Sequence, residues 1–256
     1  MSQNLSGKIA LITGASRKIG IGSAIALQLA RSGADIFLTY YRPYDSQMAW
    51  GSRPEEVETL LQEIRALGVR AAGWEADLAD PSTPALLLAK AEVELGQVDI
   101  LVNNATHDTP ADLGQLTAEA LDRHYAVNLR GMALLCTEFF RRHDGRPGGR
   151  IINLTSGQSL GPMPESLPYV ATKGAVEALT LSMSVTAAQK GITVNAVDPG
   201  ATDTGWMPPE LYADLAARSP FGRVGLPEDA ARLIAFLASE EAQWITGQVI
   251  HSRGGL

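Results

Sequence analysis

The sequence predicts a doubly wound α/β fold, in which one parallel sheet lies between two layers of helices. Short apolar runs alternate with helical segments along the whole chain, as expected for a parallel sheet covered on both faces. A length of 256 residues suits one large α/β domain, and 45% hydrophobic residues are enough for its core. No repeat, low-complexity tract or linker divides the sequence. We therefore expect a single domain spanning 1–256.

The first half of the chain supplies four strands and three helices in strict alternation. The predicted strands are 8–13, 34–40, 69–76 and 98–104. The predicted helices between them are 22–32, 54–67 and 82–95. Right-handed crossovers between such strands add further strands on both sides of the first strand. Ligands of these sheets bind at the carboxyl ends of the strands.

The second half continues the alternation with longer helices. The predicted helices are 117–142, 168–189 and 227–239, and the predicted strands are 150–156, 192–198 and 248–251. Two stretches, 41–53 and 199–226, show no regular pattern. Long loops in compact domains often cover binding sites. We expect 202–226 to be a substrate lid, with Trp206 and Met207 in its apolar wall.

Composition excludes several classes of function. The chain has 21 basic and 28 acidic residues, and this net charge of −7 argues against nucleic acid as a partner. The single cysteine, Cys136, excludes an intrachain disulfide and fits a reducing compartment. No apolar run is long enough to cross a membrane, and no signal segment is recognisable. We expect a soluble, cytoplasmic protein without a membrane partner.

Tyr169 and Lys173, four residues apart in YVATK, are the most informative pair in the sequence. On a helix they share a face with about 6 Å of rise between them. A cation about 4 Å from the phenol would lower its pKa by roughly three units at an effective dielectric of about 20. Burial raises the pKa of a phenol, so this arrangement requires a site that is not fully dry. The pair alone is also what an ordinary helix surface shows.

A glycine-rich turn follows the first predicted strand in TGASRKIGIG. Gly14, Gly20 and Gly22 lie between this strand and the first helix. Glycines at this point allow the backbone to approach a pyrophosphate, and the helix N-terminus offers free N–H groups. Their spacing differs from the usual G-x-G-x-x-G pattern. The turn therefore indicates a dinucleotide site only in combination with other motifs.

Together these motifs resemble the short-chain dehydrogenase/reductase family. The resemblance rests on TGASR with GIG, NNA at 103–105, Asn128 in VNL, Ser156, YVATK and DPGATDT, and it runs from Ser6 to Gly255. It is strongest to the branch that resembles bacterial 3-oxoacyl-carrier-protein reductases. It implies a Rossmann-type, three-layer α/β/α fold. The sequence departs from the family pattern at two points. Lys18 and Ile19 are inserted before GIG, and Thr106 stands where the family has glycine.

The resemblance implies four catalytic residues. Tyr169 would exchange a proton with the substrate oxygen, and Lys173 would lower its pKa and bind the nicotinamide ribose. Ser156 would hydrogen-bond the substrate oxygen. Asn128 would hold a water that connects Lys173 to solvent. Donors placed in this way stabilise the charge that hydride transfer builds on oxygen.

The resemblance also implies the cofactor site. Asp77 would bind the adenine, although it could instead cap a helix. NAD enzymes usually have an acidic residue at the end of the second strand, and this sequence has none there. Arg17 and Arg42 could hold a ribose 2′-phosphate, so NADP(H) is favoured over NAD(H). The implied cofactor-binding residues are Gly14, Ser16, Arg17, Gly20, Ile21, Gly22, Tyr40, Arg42, Asp77, Leu78, Asn104, Ala105, Tyr169, Lys173, Pro199, Gly200, Thr202 and Thr204. Histidines and carboxylates show no metal-ligand spacing, so no metal is expected.

The predicted function is NADP(H)-dependent interconversion of a carbonyl and an alcohol on a small-molecule substrate. Reduction of an imine or iminium at the same Ser-Tyr-Lys site is an alternative, as is a regulator that senses NADP without turnover. The resemblance further implies a homotetramer or homodimer. His107 could border the pocket, whereas His124, His143 and His251 have no motif around them.

Overall fold

The computed structural model describes residues 4–255, and in this range it contains one parallel sheet of seven strands. The strands are β1 Ile9–Ile12, β2 Asp35–Tyr40, β3 Ala71–Glu75, β4 Ile100–Asn103, β5 Gly149–Leu154, β6 Ile192–Asp198 and β7 Val249–His251. Their order in the sheet is β3-β2-β1-β4-β5-β6-β7, and each neighbouring pair is parallel. The winding direction reverses between β1 and β4, so the predicted doubly wound fold is confirmed.

Helices cover both faces of this sheet. They are α1 Ile21–Arg31, α2 Arg42–Asp45, α3 Pro54–Ala66, α4 Thr83–Glu94, α5 Ala118–His124, α6 Met132–Arg142, α7 Leu167–Ala187, α8 Pro209–Arg218 and α9 Pro227–Ala238. The predicted helices and strands agree with these bounds to within two residues, except in the three segments described below. None of the helices in the described range is long and apolar enough to cross a membrane.

The alternation of side chains along β1 shows how the core is divided. Ala10 and Ile12 point to one face, where they pack in a cluster with α1, α3 and α9. Ile9 and Leu11 point to the other face, where they pack with α4, α6 and α7. A strand buried on both faces has no polar alternation, and this is why the first strand is a continuous apolar run.

The two segments that lacked a regular pattern each contain a helix, so this part of the prediction is wrong. The segment 41–53 contains the four-residue helix α2, and 199–226 contains the ten-residue helix α8. No residue of α8 is buried. A helix of four residues such as α2 is too short to show the apolar period by which helices are recognised in a sequence.

The predicted helix at 117–142 is interrupted. Between α5 and α6 the residues Tyr125–Gly131 form a π-helical stretch, here called the π turn. Its wider turns change which residues face the sheet, and Asn128 is buried inside it. Gly131 closes this stretch, where a Cβ would lie 2.6 Å from the Leu78 carbonyl oxygen. The π turn therefore turns a polar side chain inward at a point where the helix passes close to the β3–α4 loop.

Candidate active site

The glycine turn packs tightly against the segment that follows β4. Gly14 has φ +73°, and a Cβ there would lie 2.6 Å from the Ala105 Cα. A Cβ on Gly22 would lie 2.5 Å from the Gly14 carbonyl oxygen. The Asn104 amide nitrogen donates to the carbonyls of Thr13 and Gly14, both at 2.9 Å. A side chain at either glycine would push the glycine turn away from the segment after β4. Glycine at these two positions therefore allows the two segments to pack closely.

The N-terminus of α1 fits the phosphates of a dinucleotide. Gly20 caps the helix without a side chain, and the first turn carries no acidic residue. The free N–H groups and the positive end of the helix dipole therefore face the cleft without competition. The chain thus offers the backbone surface that an NADP(H) pyrophosphate requires.

The inserted pair Lys18 and Ile19 turns away from this surface. The Lys18 backbone N–H donates to Glu56 at 2.8 Å, and its ammonium pairs with Glu63, so both groups bind α3. Ile19 is exposed. The insertion is thus anchored outside the cleft, and the predicted cofactor residues Gly20 and Ile21 still line the cleft.

Tyr169 and Lys173 lie in the first two turns of α7, next to the end of β5. The Lys173 ammonium is 5.4 Å from the centre of the Tyr169 ring and donates to the Leu154 carbonyl at 2.8 Å. Ser156 follows β5 and lies near enough to the Tyr169 hydroxyl to lower its pKa. Tyr169 and Ser156 line the cleft, while Lys173 is buried behind them. The predicted Ser-Tyr-Lys set is therefore brought together.

Burial has a larger effect than nearby charges on the pKa values of Tyr169 and Lys173. It raises the pKa of Tyr169 above its ordinary value, and the nearby charge of Asp108 adds to this, while the Ser156 hydroxyl opposes it. Burial also lowers the pKa of Lys173 to about 8. The expectation that Lys173 brings the phenol pKa down toward neutrality is therefore not met by these residues alone. The physical reason is that the phenol is desolvated, whereas the expected lowering of its pKa required a site that is not fully dry.

Asn128 organises the loop after β4. Its Oδ1 accepts from the His107 backbone N–H at 2.7 Å and from the Thr106 hydroxyl at 3.2 Å. Its Nδ2 donates to the His107 carbonyl at 2.8 Å and to the Thr172 hydroxyl at 3.2 Å. Asn128 does not line the cleft, and its side chain is fully occupied by these four bonds. Thr106, which replaces the family glycine, gains a partner in this way.

A cleft of about 1640 Å³ runs along the carboxyl ends of the strands and joins most of the predicted site. Of the predicted residues, Gly22, Arg42, Asn128 and Lys173 do not line it. The predicted residues that line it are Gly14, Ser16, Arg17, Gly20, Ile21, Tyr40, Asp77, Leu78, Asn104, Ala105, Ser156, Tyr169, Pro199, Gly200, Thr202 and Thr204. Trp206 also lines the cleft, whereas Met207, its predicted companion, does not.

The two arginines expected at the cofactor phosphate are placed differently. Arg42 forms an ion pair with Glu75 at the end of β3, with its Nε 2.9 Å from Oε2. The Arg42 side-chain bond holds the pKa of Glu75 below its ordinary value, and Arg42 does not line the cleft. Arg17 remains in the cleft, where it stacks 4.4 Å over the Trp50 ring and donates to the Thr204 carbonyl. Arg17 is therefore the better placed of the two for a phosphate.

The predicted residues at the two ends of the cleft are held by short local bonds. Asp77 accepts from the Ala79 backbone N–H at 2.8 Å, and α4 begins only at Thr83, so Asp77 is not the cap of that helix. The Thr202 hydroxyl donates to the Pro199 and Gly200 carbonyls at 3.3 and 3.2 Å. Both loops therefore keep a defined shape along the cleft.

The segment 41–50, part of one of the two long stretches without a regular pattern, forms a canopy over the cleft. The Tyr44 hydroxyl bonds the backbone carbonyl and N–H of Asp108 at 3.2 Å each. Trp50 Nε1 donates to the buried Asp45 carboxylate at 3.0 Å. Hydrogen bonds thus tie the β2–α3 connection to the loop after β4. Its content of Tyr, Trp and Met was the one signal in the sequence that this stretch packs against something.

Asp198 at the end of β6, unexplained by the motifs, holds the C-terminal segment. Its Oδ2 is 2.9 Å from His251 Nδ1 and 3.1 Å from the Arg253 guanidinium, and its Oδ1 accepts from the Gly200 N–H at 2.9 Å. Arg253 lines the cleft as a result. Within residues 4–255 no group of His, Cys, Asp or Glu side chains is arranged to hold a metal.

Comparison with known proteins identifies the family. Residues 14–256 match a family model described as "Enoyl-(Acyl carrier protein) reductase". The chain is 50% identical to the uncharacterised oxidoreductase YjdA of Bacillus subtilis, covering 97% of this chain and 96% of the relative. It is 37% identical to versicolorin reductase 1 of Aspergillus parasiticus, covering 100% and 99% of the two chains.

Solved structures agree along the full length. The reductase LugOII, described as catalysing keto-reduction at C1 during lugdunomycin biosynthesis, has a TM-score of 0.87 at 39% identity and 98% coverage of both chains. A blue fluorescent protein from a metagenomic library, in complex with NADPH, has a TM-score of 0.87 at 35% identity and 99% coverage of both chains. Fold, glycine turn, Ser-Tyr-Lys set and full-length similarity lead to one conclusion: the chain belongs to the short-chain dehydrogenase/reductase family of NAD(P)-dependent oxidoreductases.

Proposed function

We propose that the protein uses NADPH to reduce a ketone to an alcohol. The observation that carries the proposal is the shared cleft: Ser156 and Tyr169 face the same space as the glycine turn, with Lys173 buried directly behind. Two solved relatives support the cofactor and the reaction, because one contains NADPH and another is described as a keto-reductase. When bound, the cofactor supplies the hydride.

Side chains of the protein stabilise the negative charge that forms on the substrate oxygen. Ser156 and Tyr169 donate hydrogen bonds to that oxygen, and such preorganised donors are typically worth 10²–10³ in rate each. Tyr169 gives up its proton as the alcohol forms. Its pKa is raised by burial, so it is fully protonated before the reaction and ready to act as the acid.

Lys173 opposes the charge that remains on Tyr169 after proton transfer. Its pKa of about 8 keeps most of the ammonium charged at neutral pH. A cation buried 5.4 Å from the ring centre stabilises the phenolate more than a solvated one would, because little water screens it. Asn128 holds the loop of Thr106 and His107 in place beside this set.

Several finer assignments belong to the same proposal. The segment 202–226, with Trp206 in the cleft, acts as the substrate lid, and residues 1–256 act as one catalytic domain. The active form is a homotetramer in the cytoplasm. A 3-oxoacyl thioester and a cyclic aromatic ketone are both candidate substrates. The aromatic side chains of Tyr44, His107 and Trp206 in the cleft favour the aromatic ketone.

The test is NADPH consumption against a panel comprising 1-tetralone, a 3-oxoacyl thioester, a cyclic imine and an enoyl thioester. We expect turnover of a ketone that falls by about 10²–10⁴ in Tyr169→Phe, while NADPH binding is kept. Ketone turnover unchanged in that variant would contradict the assignment of Tyr169. NADPH binding with no turnover on any member would instead favour a sensor, and turnover of the imine or enoyl compound alone would change the reaction class.

A further inference from the structure

His107 carries a polar group that the proposed reaction does not use. It follows the NNAT motif after β4 and lines the cleft. Its backbone is held on both sides by Asn128, through the N–H at 2.7 Å and the carbonyl at 2.8 Å. The position of this residue is therefore fixed by a buried side chain of the π turn.

The imidazole ring is also held in a defined orientation. It packs against the Tyr44 ring of the canopy with 5.2 Å between centroids, and edge-on against His124 with 4.8 Å. His124 itself is buried, with Nδ1 2.7 Å from the Ala120 carbonyl and Nε2 accepting from the Thr109 N–H at 3.2 Å. His124 is thus held in place by backbone groups, and its ring supports the His107 ring edge-on.

The two ring nitrogens of His107 differ in their surroundings. Nε2 is fully enclosed and has no hydrogen-bond partner in the part of the chain that the structure describes. Nδ1 is not enclosed in this way. Burial lowers the pKa of His107 to about 4, so the ring is neutral and carries one proton. That proton belongs on Nδ1, because a buried N–H without an acceptor costs free energy that an exposed one does not.

The ring lies near the reacting groups. Asn128, which holds the His107 backbone, also donates to the Thr172 hydroxyl at 3.2 Å. That hydroxyl donates to the Tyr169 carbonyl at 2.9 Å, and His107 and Tyr169 line the same cleft. Thr106, the preceding residue, also lines the cleft. A molecule bound beside Tyr169 therefore has this imidazole at its flank.

We propose that the Nδ1–H of His107 donates a hydrogen bond to a second oxygen of the substrate, away from the carbonyl that is reduced. His107 is then a specificity-determining residue for oxygenated ketones, a role that rests on the proposed ketone reductase activity. Sites that hydrogen-bond a substrate oxygen discriminate against analogues that lack it, because the donor is otherwise left unpaired.

The experiment compares 1-tetralone with the 1-tetralones that carry one hydroxyl on the aromatic ring. For the wild-type protein we expect at least one hydroxylated form to be reduced with a kcat/KM about 3- to 10-fold above that of 1-tetralone, the size expected of one hydrogen bond. His107→Phe should remove this preference, so that the ratio of kcat/KM for the hydroxylated form to kcat/KM for 1-tetralone falls to about one. His107→Asn, whose Nδ2 takes the place of the imidazole Nδ1, should restore it better than His107→Gln.

Two results would overturn the proposal: no preference for any hydroxylated form in the wild type, or a preference that survives in His107→Phe. If the preference survives and the NADPH affinity of His107→Phe falls, the hydrogen bond goes to a cofactor oxygen. Failure of the ketone reductase activity is distinguishable, because 1-tetralone itself and the other ketones of the panel would then show no NADPH-dependent turnover.

Discussion

At the scale of single residues, the charge of Lys173 follows from where its ammonium lies. The nitrogen is buried, and among residues 4–255 its one hydrogen bond is to the Leu154 carbonyl at 2.8 Å. One neutral acceptor replaces less of the hydration of an ammonium than water does, so the pKa falls to about 8. Burial of this ammonium therefore lowers the stability of the folded protein and places a cation beside Tyr169. Buried groups with shifted pKa values are common at functional sites.

This cost gives a pH prediction for the protein without cofactor. The folded pKa of about 8 lies below the ordinary 10.5, so between these values the unfolded chain binds more protons and the free energy of unfolding rises with pH. We expect the stability difference between wild type and Lys173→Met to shift by about 2 kcal/mol in favour of the wild type from pH 7 to pH 9.5. Denaturant unfolding of both proteins at the two pH values measures it. A constant difference would show that the lysine is not desolvated.

A second prediction at this scale separates the two arginines. Arg17 lies in the cleft, whereas Arg42 is paired with Glu75. We expect Arg17→Ala to weaken NADPH about 10- to 100-fold, the size expected of a charged hydrogen bond, and to leave NADH little changed. Arg42→Ala should change neither cofactor by more than a few-fold. Titration of both variants with both cofactors decides this, and an equal loss of NADPH and NADH in Arg17→Ala would refute the role of Arg17.

At the scale of elements, the canopy 41–50 and the glycine turn meet at Arg17. Its guanidinium stacks on Trp50 and bonds the Thr204 carbonyl of the loop after β6, so three segments meet on one side chain. Trp50 is in turn held by the buried Asp45. A cofactor that binds along the glycine turn has to pass beneath this contact.

The canopy therefore predicts an effect on cofactor release. Trp50→Ala removes the face on which Arg17 rests, and a cation–π contact contributes roughly 0.5–2 kcal/mol. We expect NADPH to dissociate about 3- to 10-fold faster, as measured by stopped-flow fluorescence. Trp50→Phe is the matched control, because it keeps an aromatic face and loses only the bond to Asp45. An unchanged dissociation rate in Trp50→Ala would mean that the canopy does not cover the bound cofactor.

The π turn is the other element whose form matters for the site. It brings Asn128 inward, where the amide joins the loop of Thr106 and His107 to Thr172 on α7. A regular helix through 117–142 would place a different residue at this point. One side chain therefore connects α7 to the loop after β4.

At the scale of the whole molecule, a group of apolar side chains lies exposed beside the sheet edge. Leu181 and Val185 on α7 are 60% and 69% exposed, and Trp244 before β7 is 96% exposed. Gly247 packs closely on Ser184, so the segment before β7 runs alongside this part of α7. Exposed apolar patches of this kind are typical of interaction surfaces.

We predict that this surface contributes to a homotetramer. Trp244→Arg should reduce the assembled mass measured by light scattering at micromolar concentration, because a charge would be buried in an apolar contact. Val93→Arg is the control, since Val93 is 86% exposed on α4, a helix that is not part of this surface. A wild-type protein that is a clean monomer at this concentration would contradict the assembly.

Local features of the site were predictable because they depend on near neighbours in the chain. The i, i+4 spacing of Tyr169 and Lys173 on a helix, and the glycines between β1 and α1, need only local geometry. The partner of Arg42 could not be predicted in this way, because Glu75 lies on the adjacent strand β3. The contacts of Tyr44 with the backbone of Asp108 likewise join distant parts of the chain.

The sequence by itself determined the doubly wound sheet, the family, and the presence of Ser156, Tyr169 and Lys173 at one end of that sheet. These follow from alternating apolar periodicity and from motif spacing, which short stretches of chain carry on their own. Only the tertiary structure decided how deeply Lys173 is buried, which arginine faces the cleft, and which nitrogen of His107 is enclosed. Desolvation and ion pairing depend on the residues packed around a group, and at these positions several of them come from distant segments.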